Sequence, residues 1–210
     1  MWIPVHFYLR YNYEQSTAAS LIAVPYIVMI ITAPIFGIII DKFGKMMFFT
    51  NISCTFLVLA HLFLFSMNGV GRGYVEPNPQ NPSEECNLCG KSIIALVLLG
   101  FNMTIFNITS NGSVITALVA EKARGSAYGI NYAIQNLFLT FVPSYIAAIN
   151  KNLHNGQDFY YTEKCFLIIS IAALAVNLIM WLYDMRYMFG MLQQKYPIEF
   201  KAKLETKRLQ

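Results

Sequence analysis

The sequence predicts an all-α integral membrane protein, and both its composition and the length of its apolar runs lead to that fold class. Of the 210 residues, 56% are hydrophobic and 12% are charged, whereas soluble domains carry roughly 25% charged residues. The apolar residues form runs of about 20 or more, the length that a helix needs to cross a hydrocarbon core of roughly 30 Å. Backbone polar groups cannot stay unpaired in lipid, so these runs are expected to be helices.

Five membrane spans are predicted, and together they make a half-bundle over residues 14–185. The spans lie at about 17–40, 46–68, 92–119, 127–149 and 164–185. Residues 1–13 are too short to cross, so they are either the end of a further span or an interfacial segment with Trp2 and three tyrosines at headgroup level. Residues 186–210 form a basic tail. A basic n-region and a cleavage site are absent after Met1, so no signal peptide is expected.

The basic residues indicate the orientation of the spans. If the five spans alternate, ten of the 15 Lys and Arg residues lie on one side and the other five on the opposite side. The first group is Lys42, Lys45, Lys122, Arg124, Arg186, Lys195, Lys201, Lys203, Lys207 and Arg208; the second is Arg10, Arg72, Lys91, Lys151 and Lys164. The first side is therefore cytosolic or matrix-facing. The net charge of +4 reflects this asymmetry and does not indicate a nucleic-acid partner.

The connector between the first two spans reads GIIIDKFGK, from Gly37 to Lys45. A glycine lets helices approach, Asp41 suits a neighbouring helix amino terminus, Gly44 allows the turn, and Lys42 and Lys45 hold the cytosolic side. This Gly-x-x-x-Asp-Lys-x-Gly-Lys pattern resembles the signature loop of the major facilitator superfamily. The alternative is an ordinary basic hairpin loop.

A second stretch, ALVAEKARGSAYGINYAIQNLFLTFVPSYIAAI, resembles the tenth-to-eleventh helix region of the lysosomal dipeptide carriers within that superfamily. The matching positions are Gly125, Ala127, Tyr128, Gly129, Gln135 and Asn136. The resemblance covers about 14–185 and implies helices eight to twelve of a twelve-helix fold, with residues 1–13 as a stub of helix seven. In the family, substrate binds between two halves near the midplane.

Polar residues are concentrated in the predicted span 92–119. At 100° per residue they form two opposed stripes. The stripes are Asn102, Thr109, Ser113 and Thr116, and on the other face Thr104, Asn107 and Asn111. They predict either part of a polar translocation path or hydrogen bonds between helices, and we prefer the second interpretation.

A further stripe, Tyr128, Asn131, Tyr132 and Gln135, follows helical spacing in the span 127–149. By resemblance it would border the substrate cavity, and the alternative is a packed seam against another helix or subunit.

Other chemistry has little support in the sequence. No Asp, Glu, Lys or Arg lies inside the predicted spans away from their ends, and His61 is interpreted as a packing residue in preference to a proton-coupling one. Cys86 and Cys89 form a lone C-x-x-C motif, expected to be a disulfide or inert thiols. A phosphate loop, a catalytic triad and a metal-binding helix motif are all absent. We therefore expect no enzyme activity, no metal and no cofactor other than bound lipids.

Two functions fit these observations. The preferred one is a non-transporting accessory subunit, because the cavity walls of a first half are missing and no charge is buried in the spans. Other membrane subunits would then cover the polar helix faces. The alternative is half of a transporter for a small peptide or organic anion, acting with a separate amino-terminal half or as a dimer. The mitochondrial inner membrane is the preferred location and the endolysosomal membrane the alternative.

Overall fold

The computed structural model describes Phe7 and residues 15–66, 89–154, 160–188 and 190–193, and every regular element in these ranges is helical. The α-helices are α1 (Gln15–Leu21), α2 (Ala23–Phe43), α3 (Met46–Ser66), α4 (Cys89–Phe106), α5 (Ile115–Leu118), α6 (Arg124–His154) and α7 (Tyr160–Tyr187). A π-helical segment, Asn107–Val114, joins α4 to α5, and 3₁₀ turns occupy Glu121–Ala123 and Met191–Gln193. The predicted all-α class is confirmed.

Four stretches of the described chain are long and apolar enough to cross a membrane: Ser16–Phe43, Met46–Ser66, Ser92–Ser110 and Thr162–Tyr187. The fifth predicted span, 127–149, lies within α6. At 31 residues α6 is about 46 Å long, enough to cross. It is not among the four apolar stretches, and its amino-terminal half carries Asn131, Gln135 and Asn136.

The helices do not pack in chain order. Helix α4 lies between α2 and α3, and α3 also packs along α7, whereas α6 makes few contacts with the other helices. Phe101 on α4 marks the centre of this arrangement, since its ring lies 6.0 Å from that of Phe36 on α2 and 5.8 Å from that of Phe56 on α3. Helix α4 therefore holds α2 and α3 together, although α3 follows α2 directly in the sequence.

Helices α2 and α4 approach each other closely at Gly100, which has the tightest surroundings of the described glycines. A Cβ atom built on Gly100 would lie 2.7 Å from the Cβ of Val28 and 2.9 Å from the backbone oxygen of Pro25. Small residues allow such contacts, and membrane helices associate largely through them because lipid supplies no hydrophobic drive between helices. The sequence predicted this role for Gly37, but no atom of the described residues lies within 4 Å of a Cβ built there. No described helix therefore packs closely on Gly37, and its role in helix approach stays a prediction.

The turn between α2 and α3 consists of Gly44 and Lys45. Gly44 has φ 68° and ψ −118°, a conformation open mainly to glycine, and Lys45 also has a positive φ of 46°. The Gly44 N–H donates to the Ile40 oxygen at 2.7 Å. The chain therefore reverses within two residues, which agrees with the turn predicted at Gly44.

Two apolar clusters close the ends of the bundle. One joins α1, α3 and α4 and is formed by Phe7, Ala18, Leu21, Leu64, Ala95 and Leu96. The other lies at the opposite end, where Met47 packs with Met191 and Leu192 of the final 3₁₀ turn. Of the predicted stub 1–13 only Phe7 is described, and residues 194–210 of the predicted tail lie outside the described residues, so both segment assignments remain predictions.

Replacing Gly100 with Ala is expected to destabilise the bundle, because the added methyl group would meet the rigid backbone oxygen of Pro25. Overpacking of this kind costs about 1–3 kcal/mol. The free energy of unfolding of the full chain in detergent micelles measures the effect. Gly37→Ala is the matched control, since it has open space around it. Equal losses in the two variants would contradict the close approach.

Candidate functional site

The polar residues of α4 are paired with residues of its neighbours. The Asn102 amide donates to the backbone oxygen and to the hydroxyl of Ser53 on α3, both at 2.9 Å. In return the Ser53 hydroxyl donates to the Asn102 backbone oxygen at 2.9 Å. Ser53 is fully buried. These reciprocal bonds join α3 to α4, so Asn102 serves as a contact between helices.

Thr104 makes the corresponding contact with α2. Its hydroxyl lies 2.9 Å from that of Thr32, and it also bonds the Gly100 backbone oxygen at 2.9 Å. Thr104 is 1% exposed. Thr109, one turn further on and also buried, bonds the Ile105 oxygen of its own helix at 2.8 Å. Asn102 and Thr104 thus form a polar seam with Ser53 and Thr32, which we call the α2–α4–α3 seam.

The π segment Asn107–Val114 changes the geometry assumed for the two predicted stripes. Hydrogen bonds in a π-helix join residues i and i+5, so the α-helical angle of 100° per residue does not hold through this segment. The stripes extrapolated past Phe106 are therefore wrong in register. Asn107 is exposed and its amide lies 4.0 Å from the sulfur of Met29, whereas the side chain of Asn111 lies outside the described part of the chain.

The predicted polar stripe on α6 is partly exposed. Tyr128, Asn131 and Gln135 are half-buried, and Tyr132 is 51% exposed. They share one face by their spacing at i, i+3, i+4 and i+7. Helix α6 makes its main contacts with α5, with the 3₁₀ turn before it and with α7.

The charged residues of the predicted signature loop lie at the surface of the bundle. Asp41, Lys42 and Lys45 are exposed, whereas Gly37 is half-buried and Gly44 is buried. The Lys42 ammonium nitrogen lies 5.9 Å from the centroid of the Phe43 ring. A signature-loop role for these five residues stays a prediction.

An ionisable pair that was not predicted from the sequence joins α3 to α7. The Nδ1 atom of His61 lies 3.6 Å from Oε2 of Glu163, and their side chains are 14% and 3% exposed. Glu163 was assigned to the connector before the span 164–185, but the helix begins at Tyr160 and the apolar stretch at Thr162. Glu163 lies at an end of α7, so it agrees with the prediction that no Asp, Glu, Lys or Arg lies away from the span ends. The expectation that no such residue is buried is wrong, because the Glu163 side chain is 3% exposed.

A second buried carboxyl group, that of Asp184, lies near the carboxyl-terminal end of α7. Asp184 is 1% exposed, its Oδ1 atom accepts the Leu192 N–H at 3.2 Å, and its backbone oxygen accepts the Gly190 N–H at 2.9 Å. Gly190 has φ 68°, as expected where a glycine ends a helix. These bonds fold the chain back so that Leu192 reaches the Met47 cluster.

The structure describes the side chains of two of the four cysteines. Cys54 is buried and accepts the Asn177 amide at 3.2 Å, and Cys165 is half-buried; both are free thiols. Among the described residues no group of three or more His, Cys, Asp or Glu side chains is arranged to hold a metal ion. Cys86 and the side chain of Cys89 lie outside the described residues, so the C-x-x-C interpretation stays a prediction.

Comparison with known proteins agrees with the resemblance drawn from the signature loop. The sequence model of the Major Facilitator Superfamily matches residues 1–143. The chain is also similar to the lysosomal dipeptide transporter MFSD1 of Mus musculus, with 24% identity over 173 residues, 82% of this chain and 32% of that protein.

The same transporter from two other mammals gives similar results. The Homo sapiens protein is 23% identical over 176 residues, covering 83% of this chain and 32% of that protein. The Bos taurus protein is 24% identical over 178 residues, covering 84% of this chain and 32% of that protein. The chain thus spans about one third of the length of the curated relatives it matches. No solved structure matches it.

Removing the Asn102 side chain is expected to weaken the α2–α4–α3 seam. Asn102→Ala should lower the free energy of unfolding by about 0.6–2 kcal/mol, the range for polar bonds between membrane helices. Ser53→Ala added to Asn102→Ala should cost less than it does alone, because their bonds are shared. Thr55→Ala is the control, since the exposed Thr55 hydroxyl bonds only within α3 among its described contacts. Additive effects of Ser53→Ala and Asn102→Ala would contradict the pairing.

Proposed function

This chain belongs to the major facilitator superfamily, and we propose that it acts as a non-transporting accessory bundle docked against further membrane protein. Its family is one of membrane transporters and not of enzymes, and its four long apolar stretches fit a lipid bilayer. On this proposal the helices pack against other proteins and do not line a translocation pathway.

The pairing of the α4 side chains carries the proposal. Asn102 and Thr104 could have lined a polar path, but they bond Ser53 and Thr32 inside the bundle. A side chain that is buried and bonded between helices is not free to contact a passing solute. In the most polar of the predicted spans, the central side chains therefore form hydrogen bonds that hold the helices together.

The exposed surface of α6 supports docking against another protein. It combines large apolar residues, such as Phe138 at 60% and Phe141 at 63% exposure, with Asn136 and Thr140, which are also exposed. Polar side chains are costly when they face lipid and usually face protein or water. By contrast, α2 exposes Ile30, Ile31 and Ile38, a surface suited to lipid. We propose that α6 meets other membrane subunits and α2 meets bilayer or bound lipid.

A transporter half is the second candidate function, and the relatives favour it. The mammalian proteins that this chain resembles are named as dipeptide transporters. On this alternative the bundle would pair with a separate amino-terminal half or a second copy. Asn131 and Gln135 on α6 would then border the cavity for a small peptide or organic anion near its cytosolic mouth.

The relatives also bear on location. Their names place them in lysosomes, which fits the endolysosomal alternative and gives no support to the mitochondrial inner membrane. We therefore propose an endolysosomal membrane for this chain, with localisation of a tagged full chain as the direct measurement.

Photo-crosslinking combined with uptake measurements tests the proposal. A photoreactive amino acid replacing Tyr132 or Phe138 on α6 should crosslink the full chain to another polypeptide in native membranes. The same group at Ile30 on α2 is the control and should label lipid. Vesicles reconstituted with the purified native complex should take up labelled dipeptide no faster than protein-free vesicles.

The two candidate functions give different results in these measurements. Saturable dipeptide uptake that is lost in Asn131→Ala or Gln135→Ala would replace the accessory proposal with the transporter half. Labelling of lipid alone from both α6 positions would contradict docking through α6 in either function.

A further inference from the structure

We propose that a buried polar site under the final 3₁₀ turn, Met191–Gln193, binds water that bridges this turn to α3 and α7. Four side-chain atoms of these three elements are buried and have no hydrogen-bond partner among the described residues. They are Asn51 Oδ1, Trp181 Nε1, Asp184 Oδ2 and Gln193 Nε2, which we call the polar cluster. Buried polar atoms in proteins are generally bonded either to protein or to ordered water.

The packing of the turn on α3 brings part of the polar cluster together. Met47, in the first turn of α3, packs with Met191 and Leu192, and the Trp181 side chain packs against the same group. Asn51 lies one turn after Met47, and its Nδ2 atom donates to the Met47 backbone oxygen at 3.0 Å. Asn51 is therefore on α3 next to the residue that contacts the 3₁₀ turn.

Asp184 places the remaining atoms at the same end of the bundle. Its Oδ1 atom accepts the Leu192 N–H at 3.2 Å, so Oδ2 of the same carboxyl group lies beside the turn. Trp181 precedes Asp184 by three residues, and the two share one face of α7. Gln193 follows Leu192, and its backbone N–H donates to the Gly190 oxygen at 2.9 Å, which fixes the turn.

The polar cluster is shielded from bulk solvent. Asp184 and Asn51 are both buried, and the Trp181 and Gln193 nitrogen atoms are buried although these two side chains are partly exposed as a whole. A polar atom that loses contact with water and gains no hydrogen bond destabilises the folded state. A ligand that bonds these atoms would remove that cost.

The mixture of donors and acceptors identifies water as the ligand. Trp181 Nε1 and Gln193 Nε2 carry N–H groups that donate, whereas the Asn51 and Asp184 oxygens can accept. A metal cation cannot accept from the two N–H groups, and an anion would meet the Asp184 carboxyl oxygen. A water molecule both donates and accepts, and buried waters typically make about three hydrogen bonds to such groups.

The position of the polar cluster gives it a source of water. Helix α3 begins at Met46, next to Lys45, and α7 ends next to Arg186, so the cluster lies towards the basic side of the bundle. By the positive-inside rule this side is cytosolic. Polar side chains in membrane helices usually face protein or water. The bound water would therefore exchange with the cytosolic phase, whether or not the bundle transports a solute.

NMR of the full chain in detergent micelles tests for this water at the Trp181 indole N–H. The chain has two tryptophans, so Trp2→Phe identifies the Trp181 signal. We expect a nuclear Overhauser cross-peak between the indole proton and water, which Asn51→Leu and Gln193→Met should weaken or remove. Thr50→Val is the matched control and should keep it, because the buried Thr50 hydroxyl bonds the Met46 oxygen of its own helix at 2.9 Å.

Two results of this measurement would overturn the proposal. One is the lack of a water cross-peak at the Trp181 indole proton in the wild-type chain. The other is a set of cross-peaks from that proton to side chains of residues 194–210 in place of water, since the tail would then be the partner of the cluster.

Thermal unfolding of the same proteins tests whether the water bridges α3 to the turn. Asn51→Leu and Gln193→Met should each lower the midpoint by about 2–4 °C. Together they should lower it by less than the sum, because a shared bridge is lost only once. Thr50→Val and Gln193→Met should add. Additive losses for Asn51→Leu and Gln193→Met would overturn the bridge. A midpoint raised by sodium or calcium chloride but not by choline chloride, and only with the wild-type cluster, would replace water with a cation.

Discussion

The close approach of α2 and α4 at Gly100 is the constraint on which the rest of the bundle depends. Inside a membrane, lipid is as apolar as the helix surfaces, so association relies on tight van der Waals contact and on hydrogen bonds between helices. Gly100 brings the backbones near enough for Thr32 and Thr104 to bond, one turn further along. With α2 held on one side of α4, Asn102 can bond Ser53 of α3 on the other. The position of α7 against α3 then follows from the position of α3.

The fold class and the approximate spans could be predicted because hydropathy depends on residue type alone. The ends of the helices could not be predicted as well, since a hydropathy window assigns polar end residues to loops. Glu163 illustrates this, because it lies one residue outside the predicted span but inside the first turns of α7. Hydropathy also carries no information on hydrogen-bond register, so the π segment was not predicted and the stripes beyond Phe106 were misaligned.

The candidate site was predictable as a set of polar residues but not as a set of pairs. Which residue bonds Asn102 depends on how α3 is rotated about its axis, and single polar residues such as Ser53 and Thr32 in apolar runs do not reveal that rotation. The same limit applies to His61, since its partner lies 102 positions along the chain. Helix packing, which is a property of the assembled bundle, decides these pairings.

The π segment has a consequence for how this protein can change in evolution. A π turn amounts to one extra residue inserted into an α-helix, so deleting one residue from Asn107–Val114 would restore a continuous α-helix. Because the wider π turn already takes up the extra residue, the chain beyond the deletion would keep its orientation about the helix axis, and α4 would stay held by its bonds to α2 and α3. A one-residue gap at this stretch in an alignment with longer relatives would thus mark the loss of the π turn, with the packed core and the direction of the chain towards α6 unchanged.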